Sequence, residues 1–186
     1  MSLFGEKEPT LAKRLGCTAH ISPLRIKLWR LWKSNPGDAA TLEDWLVDVA
    51  NARGARIVTR YPAPRAVVRA PLESQLSNGE LTVGLLLLQN RDRPQMLRLA
   101  AQLVSACKPA LDELRSRAIQ ERVEPVLAEL ARQALRVDPA HPLWRKIADL
   151  FGNARPLREP LLHYTRLAEP VPVNGRVNAQ RWRLVA

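Results

Sequence analysis

The chain has 186 residues, of which 46% are hydrophobic and 25% are charged, and only two are cysteines. A chain of this length buries roughly 70% of its unfolded surface, so the composition excludes wholesale disorder and a small disulfide scaffold. Lysine and arginine number 29 against 18 acidic residues, a net charge of +11, which is typical of a chain that meets phosphates or acidic partners.

The N-terminal part is predicted to contain two helices. Ser22, followed by a proline, supplies a capping hydroxyl and a proline at the first helical position, so a helix should run to about Lys33 and end at SNPG. A second helix begins at Thr41, where TLED forms a capping box with Asp44 in place of the usual glutamate, and ends at Gly54.

A basic β-ribbon is predicted next. Two short runs with β-branched residues, 57–61 and 66–69, flank the sequence PAP. No acidic residue lies between Asp48 and Glu73. The ribbon therefore carries unopposed cations and one aromatic ring, which are Arg56, Arg60, Tyr61, Arg65 and Arg69.

From residue 71 onward the pattern is helical. Ser77 to Glu80 forms another capping box and leads into 81–89, which is nearly all apolar and should be buried on every side. Further helices are predicted from Pro94 to Cys107 and over 110–120, 123–136, 142–151 and 157–167. The tail lacks the helical period. Over 181–185 polar and apolar residues alternate, as in an edge strand or an extended docking segment.

These elements predict a mainly α fold, an irregular multi-helix bundle with a small β-ribbon in its N-terminal part. A motif Leu-Ala-x-Gln recurs 31 residues apart, at Leu99 and Leu130, so stacked helical hairpins are a variant of this prediction. The expected parts are an N-terminal helical part with the ribbon, a helical bundle and an extended tail, over 1–70, 71–169 and 170–186. The alternative is that all three parts belong to a single domain.

The first helix is amphipathic. On a helical wheel its apolar side chains span about 160°, and the opposite side is basic; the two sets are Leu24, Leu28, Trp29, Leu31 and Trp32, and Lys27, Arg30 and Lys33. A membrane-surface helix has the same profile. Because the helix is capped and a second helix follows promptly, we expect both tryptophans to pack against the core and the cations to face a partner.

Motifs for catalysis and cofactor binding are missing from the sequence. It contains neither GxGxxG nor GxxxxGK[ST], and neither GxSxG nor HExxH. His20, His141 and His163 are predicted to be surface or capping residues. Cys17-x-x-His20 is only half of a zinc site, and Cys107 falls on the apolar face of its helix. We therefore predict a protein that is not an enzyme, with no cofactor and no metal.

The order helix, helix, ribbon also fits a winged helix, with the ribbon as the wing. The helix that would enter the major groove is predicted to expose Glu43, Asp44 and Asp48, and phosphates repel carboxylates. Non-specific or RNA-like contact is therefore favoured over sequence-specific reading of a duplex.

Two functions of different classes follow. The first is a nucleic-acid-associated protein, a subunit of a larger assembly, that binds phosphates through the five ribbon residues, with Arg30 and Lys33 as second choices. The second is a protein-interaction or scaffold module that contacts no nucleic acid and whose charge either only keeps it soluble or matches an acidic protein partner. The ribbon arginines also fit edge-strand charges that block aggregation, and the high arginine content fits nucleotide bias in the gene.

The N-terminal residues do not resemble a secretory signal, and the longest apolar block is about half the length that crosses a bilayer. A cytoplasmic protein without membrane insertion is therefore expected.

Overall fold

The computed structural model describes residues 22–55, 75–87, 94–137, 139–157, 168–173 and 176–184. Within these residues the chain forms seven helices, so the predicted mainly helical fold is confirmed. They are α1 Pro23–Ser34, α2 Leu42–Ala52, α3 Asn78–Leu87, α4 Pro94–Cys107, α5 Leu111–Glu121, α6 Glu124–Val137 and α7 Pro142–Leu150.

Three of the predicted helix starts have the expected capping hydrogen bonds. Ser22 Oγ accepts from the backbone N–H three residues later, at 3.0 Å. Ser77 and Glu80 form a complete capping box, in which Glu80 N donates to the serine hydroxyl and Ser77 N donates to the carboxylate. At α2 the Thr41 hydroxyl oxygen accepts from the Asp44 backbone N–H at 3.1 Å, as expected, but the reciprocal half of the box differs, because the Asp44 carboxylate accepts from the Thr41 hydroxyl instead of the backbone.

Helix α3 is the central element of the bundle. Every residue from Gly79 to Leu86 is buried, which confirms the predicted burial on all sides over 81–86, while Leu87 is partly buried and 88–89 lie outside the described residues. It packs against α1, α2, α4 and α5. At the crossing with α1, an added Cβ at Gly84 would lie 2.7 Å from Leu28 Cδ1, so this glycine allows the two helices to approach closely.

The hydrophobic core runs from Leu24 in α1 to Phe151 just after α7. Its largest fully buried side chains are Trp45 and Trp144, and the Trp45 indole N–H donates to the Asn35 carbonyl at 2.8 Å. Residues before and after position 70 contribute to this core. The division into the parts 1–70, 71–169 and 170–186 stays a prediction.

The C-terminal backbone forms a hairpin of two antiparallel strands, β1 Ala168–Val173 and β2 Arg176–Leu184. Ala168 is paired with Leu184, and Val173 with Arg176. The predicted N-terminal ribbon, over 57–61 and 66–69, lies outside the described residues, as does nearly all of the helix predicted at 157–167.

Candidate nucleic-acid interface

Helix α1 is attached to the bundle by its apolar face and by its first turn. Leu24 and Leu28 are buried. The Leu24 backbone N–H donates to Glu121 Oε1 at 2.9 Å, although 97 residues separate the two in sequence. A carboxylate at this position satisfies an unpaired N–H and complements the positive end of the helix dipole. The apolar face of α1 is therefore taken up by the core.

Two of the four cations of α1 serve the packing of the bundle. Lys27 Nζ lies 2.6 Å from Glu80 Oε2, and the same carboxylate pairs through Oε1 with Arg117 Nη2 at 3.0 Å. The Glu80 side chain is only 4% exposed, so this triad joins α1, α3 and α5 around one buried charge. On the other side of α1, Arg25 Nη2 donates to the Leu87 carbonyl at 2.6 Å.

The other two cations, Arg30 and Lys33, are exposed. Helix α1 contains no acidic residue, and in the part of the chain that the structure describes neither side chain pairs with a carboxylate. Lys33 Nζ lies 4.3 Å from the ring centroid of Trp32 and 5.7 Å from that of Trp29. Both distances fall within cation–π range, so this ammonium is held near the two rings.

The two tryptophans of α1 have different environments. Trp32 is partly buried, and its indole N–H donates to the Ala39 carbonyl at 3.3 Å. Trp29 is 39% exposed, so the prediction that it is a core residue is wrong. The physical reason is its angle on the helix: Trp29 is one residue, or about 100°, from Leu28, which faces the Gly84 crossing.

The structure therefore brings together Arg30, Lys33 and Trp29 on one solvent-facing surface, which we call the α1 basic face. Only the first two of these residues were predicted as site residues. Trp29 lies at one end of the apolar arc on the helical wheel, and that end position is the signal that would have identified it. The other predicted contacts, Arg56, Arg60, Tyr61, Arg65 and Arg69, lie outside the described residues.

Helix α2 differs from its predicted surface. Asp48 is buried with 4% of its surface exposed, so its predicted exposure is wrong. The residues from Trp45 to Ala50 are all buried, because α2 packs against α1, α3 and α4 rather than presenting one face to water. The acidic groups that α2 retains near solvent are the partly buried Glu43 and Asp44.

A cavity of about 470 Å³ lies beside the start of α3 and is lined in part by Arg53, Asn78 and Cys107. The Arg53 guanidinium donates to Asn78 Oδ1 at 2.8 Å and to the Leu76 carbonyl at 2.6 Å. The Cys107 thiol donates to the Arg53 carbonyl at 3.0 Å. Burial raises the pKa of Cys107 even though the Arg53 charge opposes this, so the thiol is a poor nucleophile at neutral pH.

Other predicted groups have structural roles where the structure describes them. His141 caps α7, with Nδ1 accepting from the Trp144 backbone N–H at 3.4 Å. The described residues contain no cluster of three or more His, Cys, Asp or Glu side chains arranged to hold a metal ion. Among the helices that the structure describes, none combines the length and the apolar character needed to cross a membrane.

The chain was compared with protein-family models, with curated proteins and with solved structures, and none of these comparisons gives a match. Its function must therefore be inferred from its own residues, of which the α1 basic face is the described surface with the clearest chemistry.

Proposed function

We propose that this protein is a non-enzymatic, nucleic-acid-associated protein that contacts the phosphate backbone through the α1 basic face. The observation that carries the proposal is the pair of exposed cations, Arg30 and Lys33, on a helix without a single carboxylate. Each cation that neutralises a phosphate releases condensed counterions, which drives binding independently of base sequence. The ribbon residues Arg56, Arg60, Tyr61, Arg65 and Arg69 belong to the same proposal as further contacts, as does a place in a larger assembly.

Charge supports nucleic acid in two ways. The net charge of +11 steers polyanions to the protein over a long range, and the local charge of α1 has the same sign. Lys27 does not add to the available charge, since it shares the Glu80 carboxylate with Arg117. The available cations of α1 are therefore the two at its solvent-facing side.

The amount of exposed apolar surface favours nucleic acid over a protein partner. A stable protein interface buries about 800 Å² on each partner, with a largely apolar centre. Where the structure describes side-chain burial, which is in 22–55, 75–87, 96–136 and 139–157, the large hydrophobic side chains that are exposed are Trp29 and Ile119. Two single side chains supply too little apolar area for such a centre, whereas phosphate contacts need cations and little apolar surface.

A binding role also fits the chemistry of the cavity beside the start of α3. Its polar groups, Arg53 and Cys107, are hydrogen-bonded to other protein groups, and burial raises the pKa of the thiol. Neither group is therefore poised as a nucleophile or a general base.

The experiment that tests this proposal is an anisotropy titration of labelled single-stranded DNA, single-stranded RNA and duplex DNA at 50 and 200 mM salt. Binding should weaken steeply as salt rises. The double variant Arg30→Ala, Lys33→Ala should lower the single-strand log–log salt slope by about 1.4 and weaken affinity about 25-fold at 0.1 M salt, because two phosphate contacts are lost.

The matched control is Lys146→Ala with Arg155→Ala, which removes the same charge from exposed positions in and after α7. This control should retain most of the affinity. Absence of binding at 50 mM salt would contradict the proposal, and so would an equal loss in the two double variants. An acidic protein partner would then be the better hypothesis.

A further inference from the structure

We infer that the α1 basic face selects single-stranded over duplex nucleic acid, with the Trp29 indole as a stacking platform for an unpaired base. This inference rests on the proposed function and adds to it the substrate class and one specificity-determining residue. It is carried by the exposure of Trp29 beside two available cations.

The exposed area of Trp29 matches a base. A tryptophan side chain offers up to roughly 250 Å², so 39% exposure leaves roughly 100 Å² in solvent. That area accommodates one base and is far below the area of a protein interface. The exposed part of the Trp29 indole is therefore matched in size by a single flat group such as a base, and not by the surface of a protein.

One of the two cations lies close to the Trp29 ring. Lys33 is one helical turn from Trp29, and its Nζ is 5.7 Å from the centre of the ring. Arg30 is the next residue in sequence, so its side chain projects about 100° further around the exposed side of the helix, where it can meet a neighbouring phosphate of the strand. The Lys33 ammonium is nearer to Trp32, at 4.3 Å, so it lies closer to the partly buried ring than to the exposed one. Aromatic rings next to backbone-binding cations are the common pattern of single-strand binding.

Duplex nucleic acid cannot use the indole in this way. A paired base is stacked on both faces, and extracting it costs free energy that one stacking contact does not recover. A duplex therefore has access to the cations only. A single strand has access to the cations and the ring, and each stacked base is worth about 5- to 150-fold in affinity.

A membrane surface does not fit the same side chains. Interfacial helices insert an apolar face into the acyl boundary. In α1 that face includes Leu24 and Leu28, and both side chains are in the core. What α1 exposes is one indole and its cations, which is the combination that a base and its phosphates require.

The test uses the full chain with a twelve-residue oligothymidylate, its oligoadenylate duplex and oligouridylate, at matched salt. The unsubstituted protein should bind both single strands more tightly than the duplex. Trp29→Ala should weaken single-strand binding about 5- to 150-fold and leave duplex affinity unchanged within about twofold, because only the stacking contact is lost. Trp29→Phe should stay within about threefold of the original protein because it retains an aromatic face.

Two controls separate stacking from other effects. Ile119→Ala removes the second large hydrophobic side chain that is exposed among those whose burial the structure describes, and it should change neither affinity. Trp29→Ala should keep its salt slope, whereas the Arg30, Lys33 double variant should lose part of it. Circular dichroism and the thermal midpoint confirm that each variant is folded.

The two proposals fail in different ways. Salt-dependent binding without single-strand preference, and without an effect of Trp29→Ala, would overturn the stacking inference and leave the phosphate contacts in place. Equal losses for single strands and duplex in Trp29→Ala would also overturn it. If none of the three probes binds at 50 mM salt, both proposals are overturned.

Discussion

Helices α1 and α3 cross at Leu28 and Gly84, yet they use charge in opposite ways. Helix α3 is buried throughout, and its one acidic side chain, Glu80, is almost inaccessible and neutralises cations from two other helices. Helix α1 has four cations and no acid, and it leaves Arg30 and Lys33 in water. The buried charge of α3 holds the bundle together, whereas the exposed charge of α1 is free to meet a ligand.

Whether a basic residue is available to a ligand cannot be judged from its own helix alone. Lys27 and Lys33 lie six residues apart on α1, and both were predicted on its charged side. Lys27 is paired with a carboxylate from α3, while Lys33 lies over a tryptophan ring of α1 itself. The availability of each cation therefore depends on what the neighbouring helix presents to it.

The largest effect is expected at the buried charge. Glu80→Ala removes the common partner of Lys27 and Arg117 and the side-chain half of the α3 capping box. We expect a loss of about 2–3 kcal/mol in the free energy of unfolding, at or below the usual cost of breaking a buried pair, because both cations keep about 38% exposure and can rehydrate. Lys27→Ala should cost less than about 1 kcal/mol. Urea denaturation measures the free energy of unfolding of both variants. Equal losses in Glu80→Ala and Lys27→Ala would contradict the larger role assigned to the buried carboxylate.

The next effect is expected where α1 meets α5. Glu121→Ala removes the carboxylate that accepts the Leu24 backbone N–H, so the first turn of α1 loses a buried partner. We expect a loss of about 1–2 kcal/mol, similar to loss of an N-cap. Glu121→Gln should cost less, since its amide oxygen still accepts the hydrogen bond. Hydrogen exchange at the start of α1 should accelerate more in the alanine variant than in the glutamine variant.

A smaller effect is expected at the crossing itself. Gly84→Ala places a Cβ about 2.7 Å from Leu28 Cδ1, which must move. Overpacking destabilises a core by about 1–3 kcal/mol, and the better helix propensity of alanine offsets up to about 1 kcal/mol of that. We therefore expect a net loss of about 1 kcal/mol in the free energy of unfolding. In a Leu28→Val background the same change should cost less, because the methyl in conflict is gone. A double-mutant cycle without coupling would show that the contact does not limit the approach of the helices.

The smallest effect is expected on the α1 basic face. Arg30→Ala and Lys33→Ala should each change the free energy of unfolding by no more than about 0.5 kcal/mol, because both side chains are exposed. Chemical denaturation of the two single variants measures this directly. A loss above about 1 kcal/mol at either position would show that the cation supports the fold and would weaken its assignment to ligand binding.

Local signals predicted most of the described helices. The Ser22-Pro23 pair and the Ser77–Glu80 box act within one turn, so all the interacting groups are neighbours in the sequence. The apolar run that begins at Leu81 also predicted burial on all sides correctly over 81–86, since such a helix has no face suited to water.

The site was predicted less well than the fold. Arg30 and Lys33 were placed correctly on the charged side of α1, and their exposure follows from helical periodicity. Trp29 was assigned to the core because hydrophobicity alone does not tell how wide a contact the neighbouring helix makes. Asp48 was assigned to the surface for the converse reason, since α2 is covered on more than one side by other helices.

Net charge, the helix starts and the amphipathic division of α1 follow from the sequence, because each depends on composition or on residues within one or two turns. Packing between the helices was needed to pair Glu80 with Lys27 and Arg117, to place Glu121 at the start of α1, and to leave Trp29 partly in solvent. These outcomes depend on contacts between residues 37 to 97 positions apart or on the width of a packing interface. No periodic pattern encodes such distances, since they arise only when the helices pack together.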